Sequence, residues 1–566
     1  MQMFVWLRPE VFLLLVAFNT CWAVPALAQQ GGNQRPIGSV QGSFQLDGQY
    51  YFQDDEIGTP EVPEDILFNG YGMVSYTLGN FNAGVRYEAY HNPLLGISPD
   101  YAGQGIANRY VSYSTDNFEV TAGNFYEQFG TGMVLRAYWE PLLGVDNAFN
   151  GFRAKGTILN DAIQLKGIIG RQRYYWDNSP GIVRAGDIEV DFNRLLDSVM
   201  TNAVRVRIGG SAVSRYLPDE DPTLELPENV AAFAGRLNLG IGNFNFLGEY
   251  AYKVNDPAQY TTLFGNTIYN PGSGVFLSGT WSAKGIGISV QAKRLENMDF
   301  RSALDADFSF NEVPINFLPP LARQHTYRLQ TLYLYATQPN GEMGLQADLT
   351  YTIPRGSALG GKYGTTIAVN YSRLYNLERD TTGLVENLEY EDSEFLTPGN
   401  QLYYEDFNID ITRKFSRAFK LTLAYVYMAN RLGLQGLGSG VSYTHLGVAD
   451  MTFRIKRTKS LKVELQHLYT PSDKGIDGQE GSWAAIILEY SIAPHWFFAA
   501  SNEYNYGNEN PDRRLNYYSA VFGYNFGGSR VQFGYARQRQ GIICVGGICR
   551  VLPASNGFQF SISSTF

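Results

Sequence analysis

From Val40 to the last residue the chain alternates apolar and polar side chains in short runs, the two-residue period of strands whose faces meet different surroundings. Phe44 to Tyr50, Asn117 to Gly123, Ala231 to Gly240, Leu421 to Tyr427 and Asn516 to Tyr524 are clear examples. Very short turns join many of these runs: Gly79-Asn80, Asp116-Asn117, Asn160-Asp161, Gly242-Asn243, Pro339-Asn340-Gly341, Thr458-Lys459-Ser460 and Gly527-Gly528. Longer polar stretches separate the hairpins. The pattern predicts an all-β fold, a single large antiparallel barrel of about 24–26 strands. The regular exchange of short turn and long loop breaks twice, between about Trp176 and Asn229 and between about Asp299 and Asn400. Asp187 to Phe192 alternates cleanly and supplies a strand to the first of these windows.

The last ten residues carry the strongest local signal. Phe558, Phe560, Ile562 and Phe566 share one face, and Gln559, Ser561, Ser563 and Thr565 share the other. Only Ser564 interrupts the apolar series. An apolar strand face running to a terminal aromatic resembles the closing strand of a Gram-negative outer-membrane β-barrel, where that aromatic belongs to the signal read by the barrel-assembly machinery. The other end agrees. Arg8, the apolar stretch Val11 to Phe18 and Ala26-Leu27-Ala28 have the order of a secretory signal peptide. Residues 1–28 are therefore expected to be a signal peptide, 29–38 a short periplasmic segment and 39–566 the barrel. Strands begin within about a dozen residues of the cleavage site, too soon for the preceding plug domain of a TonB-dependent transporter. No stretch reaches the ~18 consecutive apolar residues of a membrane helix, so the expected spans are strands.

Composition fits lipid on one side of each strand and water on the other. The chain has 60 glycines, 39 tyrosines, 14% aromatic and 17% charged residues. A net charge of −10 with no basic patch argues against nucleic-acid binding. Two cysteines lie beyond the signal peptide, in Cys544-Val545-Gly546-Gly547-Ile548-Cys549. A Gly-Gly hairpin turn would oppose Cys544 to Cys549 within disulfide range, a bond favoured in an exported protein.

Charges on strands are expected to face the lumen, because an arginine facing lipid at mid-depth costs about 2–4 kcal/mol. On this basis Arg171, Arg173, Asp187, Glu189, Asp191, Arg205, Arg207, Asp406, Asp410, Arg454, Lys456, Arg537 and Arg539 are expected to line a mixed-charge interior. Such a lining could select ions and polar solutes, or could serve as a structural network of ion pairs. Barrels of about 16–18 strands already hold an aqueous channel, so a wider one needs something to close it. Phe129 to Asn147 is long, glycine-rich and too apolar for an exposed loop, with Arg136, Glu140 and Asp146 as polar anchors. It is the expected constriction. Ser309 to Leu321, with Pro314, Pro319 and Pro320, is a second inward segment. The acidic stretches Glu386 to Glu394 and Asp219-Glu220-Asp221 lack the ligand spacing of a calcium loop and read as solvated. Five scattered histidines and the absence of a metal pair, a nucleophile elbow or a phosphate loop point away from catalysis and from any cofactor or metal.

Gly123 to Gly130, Gly144 to Asn147, Ala336 to Gly344 and Cys544 to Cys549 resemble segments of a family of Bacteroidota outer-membrane proteins. The resemblance spans most of the chain beyond the signal peptide. It implies an outer-membrane barrel and brings no activity or site. The expected function is a porin-like channel or transport conduit for polar solutes, constricted by an inward loop. The alternative is a non-conducting scaffold in an envelope secretion or surface-protein assembly, with a partner occluding the lumen. Expected partners are outer-membrane lipid and the assembly machinery.

Overall fold

The computed structural model describes residues 38–197, 203–219, 226–257, 269–304, 313–378, 393–471 and 473–566. The expected signal peptide, residues 29–37 of the N-terminal segment, 309–312 of the second inward segment, Glu220 and Asp221, and 386–392 of the acidic stretch lie outside these residues.

Twenty-four strands form one antiparallel sheet that closes on itself. Closure is between the first strand, Ser39–Tyr51, and the last, Ser555–Thr565, in a continuous register from Ser43↔Thr565 to Tyr51↔Gly557. Gly42 and Phe566 exchange both backbone hydrogen bonds at 2.9 Å, so the terminal residue itself extends the seam. Glycine is required where rings cross it. A Cβ on Gly48 would sit 2.2 Å from the Phe560 ring, and one on Gly42 would sit 2.2 Å from the ring of Phe566.

Alternation sets the two faces. Along Ile66–Leu78, Val74, Tyr76 and Leu78 are exposed outside while Leu67 is buried inside. Exposed apolar residues continue around the wall: Val85, Ile169, Ile208, Val290, Leu423, Leu488 and Phe533 all point outward. A closed sheet with an apolar exterior satisfies every backbone group without an edge, the condition for a β-structure in lipid. This face yields a quantitative expectation. Val290→Arg should cost about 2–4 kcal/mol of unfolding free energy in lipid vesicles. Ser289→Arg, one residue away on the lumen side and directly opposite Asp348, should cost less than half of that.

One end of the barrel carries mainly short turns, such as 79–80, 242–243, 284–285 and 527–528. The other carries long connections, above all 126–148 and 297–340. The two breaks in the sequence pattern have physical causes. Asp177–Asp191 is a full strand containing Asp187-Ile188-Glu189-Val190-Asp191, reached through the two-residue turn Tyr175-Trp176 on the long-loop side. Phe192, the last residue of that alternating run, instead opens the short helix Phe192–Leu195, with Asp191 as its N-cap. In the second window, Pro339-Asn340-Gly341 is no hairpin turn. It is the return of the 297–340 connection to the wall, where Gly341–Ile353 begins. The residues before it form the short 3-10 helix Gln330–Tyr333.

Candidate functional site

The interior at the long-loop end is filled by the protein's own connections. Phe129, Met133, Val134 and Leu135 are fully buried and share an apolar cluster with the inward-facing wall residues Ile168, Val183, Val213, Val230, Ala251 and Phe276. Met298, Phe300, Ile315 and Leu321, from the second long connection, belong to the same cluster. Across the barrel, Leu329, Leu332 and Tyr333 pack with Val426, Met428, Leu446, Leu468 and Trp483. An inward wall that is apolar at this depth has replaced water with protein.

Backbone pairing joins the two connections. The Arg136 amide donates to the Ile315 carbonyl at 2.8 Å, and the Phe317 amide to the Gly132 carbonyl at 2.9 Å. Asn316 Nδ2 donates to the carbonyls of Met133 and Met298, and Asn147 Nδ2 to that of Pro314. Gly130, at φ +53°, brings the chain so close to the wall that a Cβ would lie 2.5 Å from Glu249 Oε2. The Thr131 amide donates to the same oxygen at 2.8 Å.

Charge pairs bind this plug to the wall. Asp146 meets Arg173 at 2.7 Å and also Arg86, and accepts from the Tyr126 hydroxyl at 2.9 Å. Glu88 completes a neutral quartet, 2.7 Å from both arginines. All four charged side chains are at most 5% exposed. Glu127 meets Lys155 at 2.8 Å and Lys166 at 3.0 Å. Further along, Arg215 pairs with Asp256 and donates to the Arg301 carbonyl, and Lys293 pairs with Glu342 in full burial. His325 lies 2.6 Å from Asp406, Arg323 2.8 Å from Asp410, and Arg328 2.5 Å from Glu503.

Of the expected anchors, Asp146 ties the loop to the wall. Arg136 stacks on Phe317, 3.9 Å from the ring centroid, and so joins the two connections. Glu140 caps its own turn through the Leu142 amide. Of the expected lumen residues, Arg173, Asp187, Glu189, Asp191, Arg205, Arg207, Asp406 and Asp410 lie on the inner side. Arg236 bridges Asp187 and Glu189, Arg207 meets Asp191 at 3.0 Å, and Arg205 donates to Asn245. Arg454 and Lys456 are exposed at the short-turn mouth, where the ladder shifts register between them.

Two positions are corrected. Arg171 is exposed on the outward face with Leu165 and Ile169. A register shift between Asn178 and Ile182, opposite Arg171 to Arg173, breaks the alternation and lets Arg173 alone turn inward. Arg537 shares outward parity with Val531 and Phe533 and binds Asp54 at 2.7 Å and Glu56, on the loop 52–65 at the rim. Arg539, past the strand end, turns inward to Glu503 at 3.0 Å. Cys544 and Cys549 are disulfide-bonded and directly opposed, with Gly546 and Gly547 at positive φ between them. This hairpin seats on the plug: the Thr337 amide donates to the Gly547 carbonyl at 3.0 Å.

Sequence reasoning missed Arg86, Glu88 and Glu127. Arg86 and Glu88 alternate in Phe81–His91 as the expected pairs do and were recoverable by the same rule. Glu127 lies off any strand, so period two could not find it. Burial raises the Glu127 carboxyl, but Lys155 and Lys166 outweigh it and hold the group below its ordinary value. A depressed carboxyl stabilises above its unfolded pKa and loses that contribution as pH falls through the folded one. The Glu127 anchor is thus expected to hold at neutral pH and to release only below the ordinary glutamate range. Hydrogen exchange of residues 126–135 against pH checks this: protection should fall in that acid range, and Glu127→Gln should abolish this pH dependence.

Two cavities flank the plug. One of about 560 Å³ is lined by Asn82, Arg86, Asn108, Glu119, Tyr126, Trp139 and Arg153. Another of about 360 Å³ lies between the closing strands and the plug, and includes Gln49, Asn69, Gln559 and Arg550. Among the described residues no cluster of histidine, cysteine and carboxylate groups could hold a metal ion.

Among solved structures, the fold is similar to the siderophore receptor PirA from Pseudomonas aeruginosa, at 10% identity and a TM-score of 0.41, over 94% of this chain and 81% of that one. The P pilus usher PapC translocation pore matches at 9% identity and a TM-score of 0.42, over 93% and 99%. The copper transporter OprC matches at 9% and 0.39, over 95% and 82%. No curated protein matches the sequence. A family model matches residues 9–566, and the chain belongs to that family, a family of unknown function designated DUF6029.

Proposed function

We propose that this barrel is a conduit for polar solutes in the outer membrane of a Gram-negative bacterium, of the Bacteroidota type its sequence segments resemble, and that its own loops 126–148 and 297–340 constrict it. The short turns then face the periplasm and the long connections the outside. One observation carries the reading: the two longest connections bury apolar side chains against the inward wall and tie themselves to it with charge pairs. A scaffold that relied on a partner to fill its lumen would not need such a built-in filling. The chemistry proposed for the site is binding and passage.

Proteoliposome swelling tests the reading, with neutral polar solutes of rising size and the purified intact protein. Entry of small solutes with a sharp size limit supports a constricted conduit. No entry at any size, by a barrel that shows the heat-modifiable gel shift of a folded one, favours the scaffold.

A further inference from the structure

Among the described residues Arg550 meets no counter-charge. It is 6% exposed, and among the described residues no carboxylate pairs with it. Its Nη1 donates to the Leu143 carbonyl, and its buried Nε has no acceptor. Burial pulls the group down to about 10, so at neutral pH it remains a cation. An isolated buried cation is costly unless something compensates it. The buried wall arginines Arg86, Arg173, Arg215 and Arg236 each have a carboxylate within 3.1 Å.

The side chain lines the 360 Å³ cavity beside the closing strands, a volume within the range of small-molecule sites. The other lining is two-sided. The wall contributes amides, among them Gln49, Asn69 and Gln559, and the buried Gln49 Nε2 has no acceptor of its own. The apolar side comes from Leu94 and Ile97 on the 92–102 loop, Leu142 on the plug and Leu552 on the disulfide hairpin. Asp47 also lines the cavity, where Gln45 Nε2 donates to it at 2.6 Å. Its charge disfavours a second negative group.

We infer that this cavity binds a small monoanionic carboxylate with amide groups and one apolar side, the chemistry of a short peptide's C-terminus. The carboxylate pairs with Arg550, the amides meet the wall and the apolar side chain lies against Leu94, Ile97, Leu142 and Leu552. The inference deepens the conduit reading by naming a solute class, and it rests on that reading only for passage, not for binding.

The test is equilibrium binding to the full-length protein in detergent, using N-acetylleucine and its neutral counterpart N-acetylleucinamide. The carboxylate is expected to bind at least tenfold more tightly. Arg550→Gln should erase that preference, and Arg550→Lys should restore part of it. Ser561→Phe, which fills the cavity from the wall with Arg550 intact, should abolish binding of both. Equal or absent binding of the two ligands to the native protein overturns the site. So does a preference that survives either Arg550→Gln or Ser561→Phe in folded protein. Binding is measured apart from swelling, so the two readings fail separately. A missing preference with normal solute entry removes the site alone, and a preserved preference without entry removes the conduit alone.

Discussion

Removing Gly130 to Gly144 is expected to turn a constricted barrel into a wide pore that remains folded. The wall is stabilised by a closed ladder of 24 strands that does not include this segment. The segment's contribution lies inside: Met133, Val134 and Leu135 leave the apolar cluster, and Arg136 leaves Phe317. The second connection loses its pairing partners at Gly132 and Arg136 and the carbonyl that holds Asn316. Both halves of the filling are thereby loosened by one deletion. Barrels of about 16–18 strands already conduct when unplugged, so a wall of this size should pass solutes well beyond the native size limit. Swelling rates for large sugars should rise by an order of magnitude or more, with the heat-modifiable shift retained.

Asp146→Ala is expected to give the largest effect of any single substitution in the plug. Asp146, on the loop, faces two buried wall arginines, Arg86 and Arg173, with Glu88 as their remaining counter-charge. Removing one member of a buried charge network leaves an uncompensated ion, at a cost of about 3–5 kcal/mol. The barrel does not unfold to relieve it, because water can reach the arginines if the loop lifts away. The cost should therefore appear as local opening. Hydrogen exchange of residues 126–148 should accelerate by at least a hundredfold while the wall strands stay protected. A matched pair of changes tests the cause. Removing Arg173 as well, with Asp146→Ala and Arg173→Met together, should cost less than the sum of the two single changes, since the stranded charge is gone.

The wall was legible because its chemistry is periodic. Lipid outside and a polar or packed interior impose period two, and residues such as Val74, Tyr76 and Leu78 announce their face. The seam was readable for the same reason, down to Phe558, Phe560 and Phe566. Register shifts were not. Nothing in Arg171-Gln172-Arg173 signals the irregularity opposite it that sends the two arginines to different sides. The second connection was legible only in part: Ser309 to Leu321 was expected inside, where Ile315 and Leu321 are buried, but the residues that follow were not. Reading Pro339-Asn340-Gly341 as a hairpin turn placed a wall strand before it, yet Leu329, Leu332, Tyr333, Leu334 and Tyr335 are all buried inside the barrel. A segment surrounded by protein on every side has no exposed face to mark its geometry. A clue to the filling was present in the wall itself. After Thr422 the run Leu421 to Met428 stops alternating: Ala424, Val426 and Met428 face inward and are as apolar as the outward Leu423 and Tyr425. A strand of a water-filled pore would carry polar residues on the inner side.

Single-channel conductance in a planar bilayer tests most directly whether the protein's own loops close its barrel. Small or rare openings are expected from the intact protein at neutral pH. The variant lacking Gly130 to Gly144 should show steps at least as large as those of open porins. Equal conductance from the two, with both barrels folded, would contradict that closure and take the loop out of the pore.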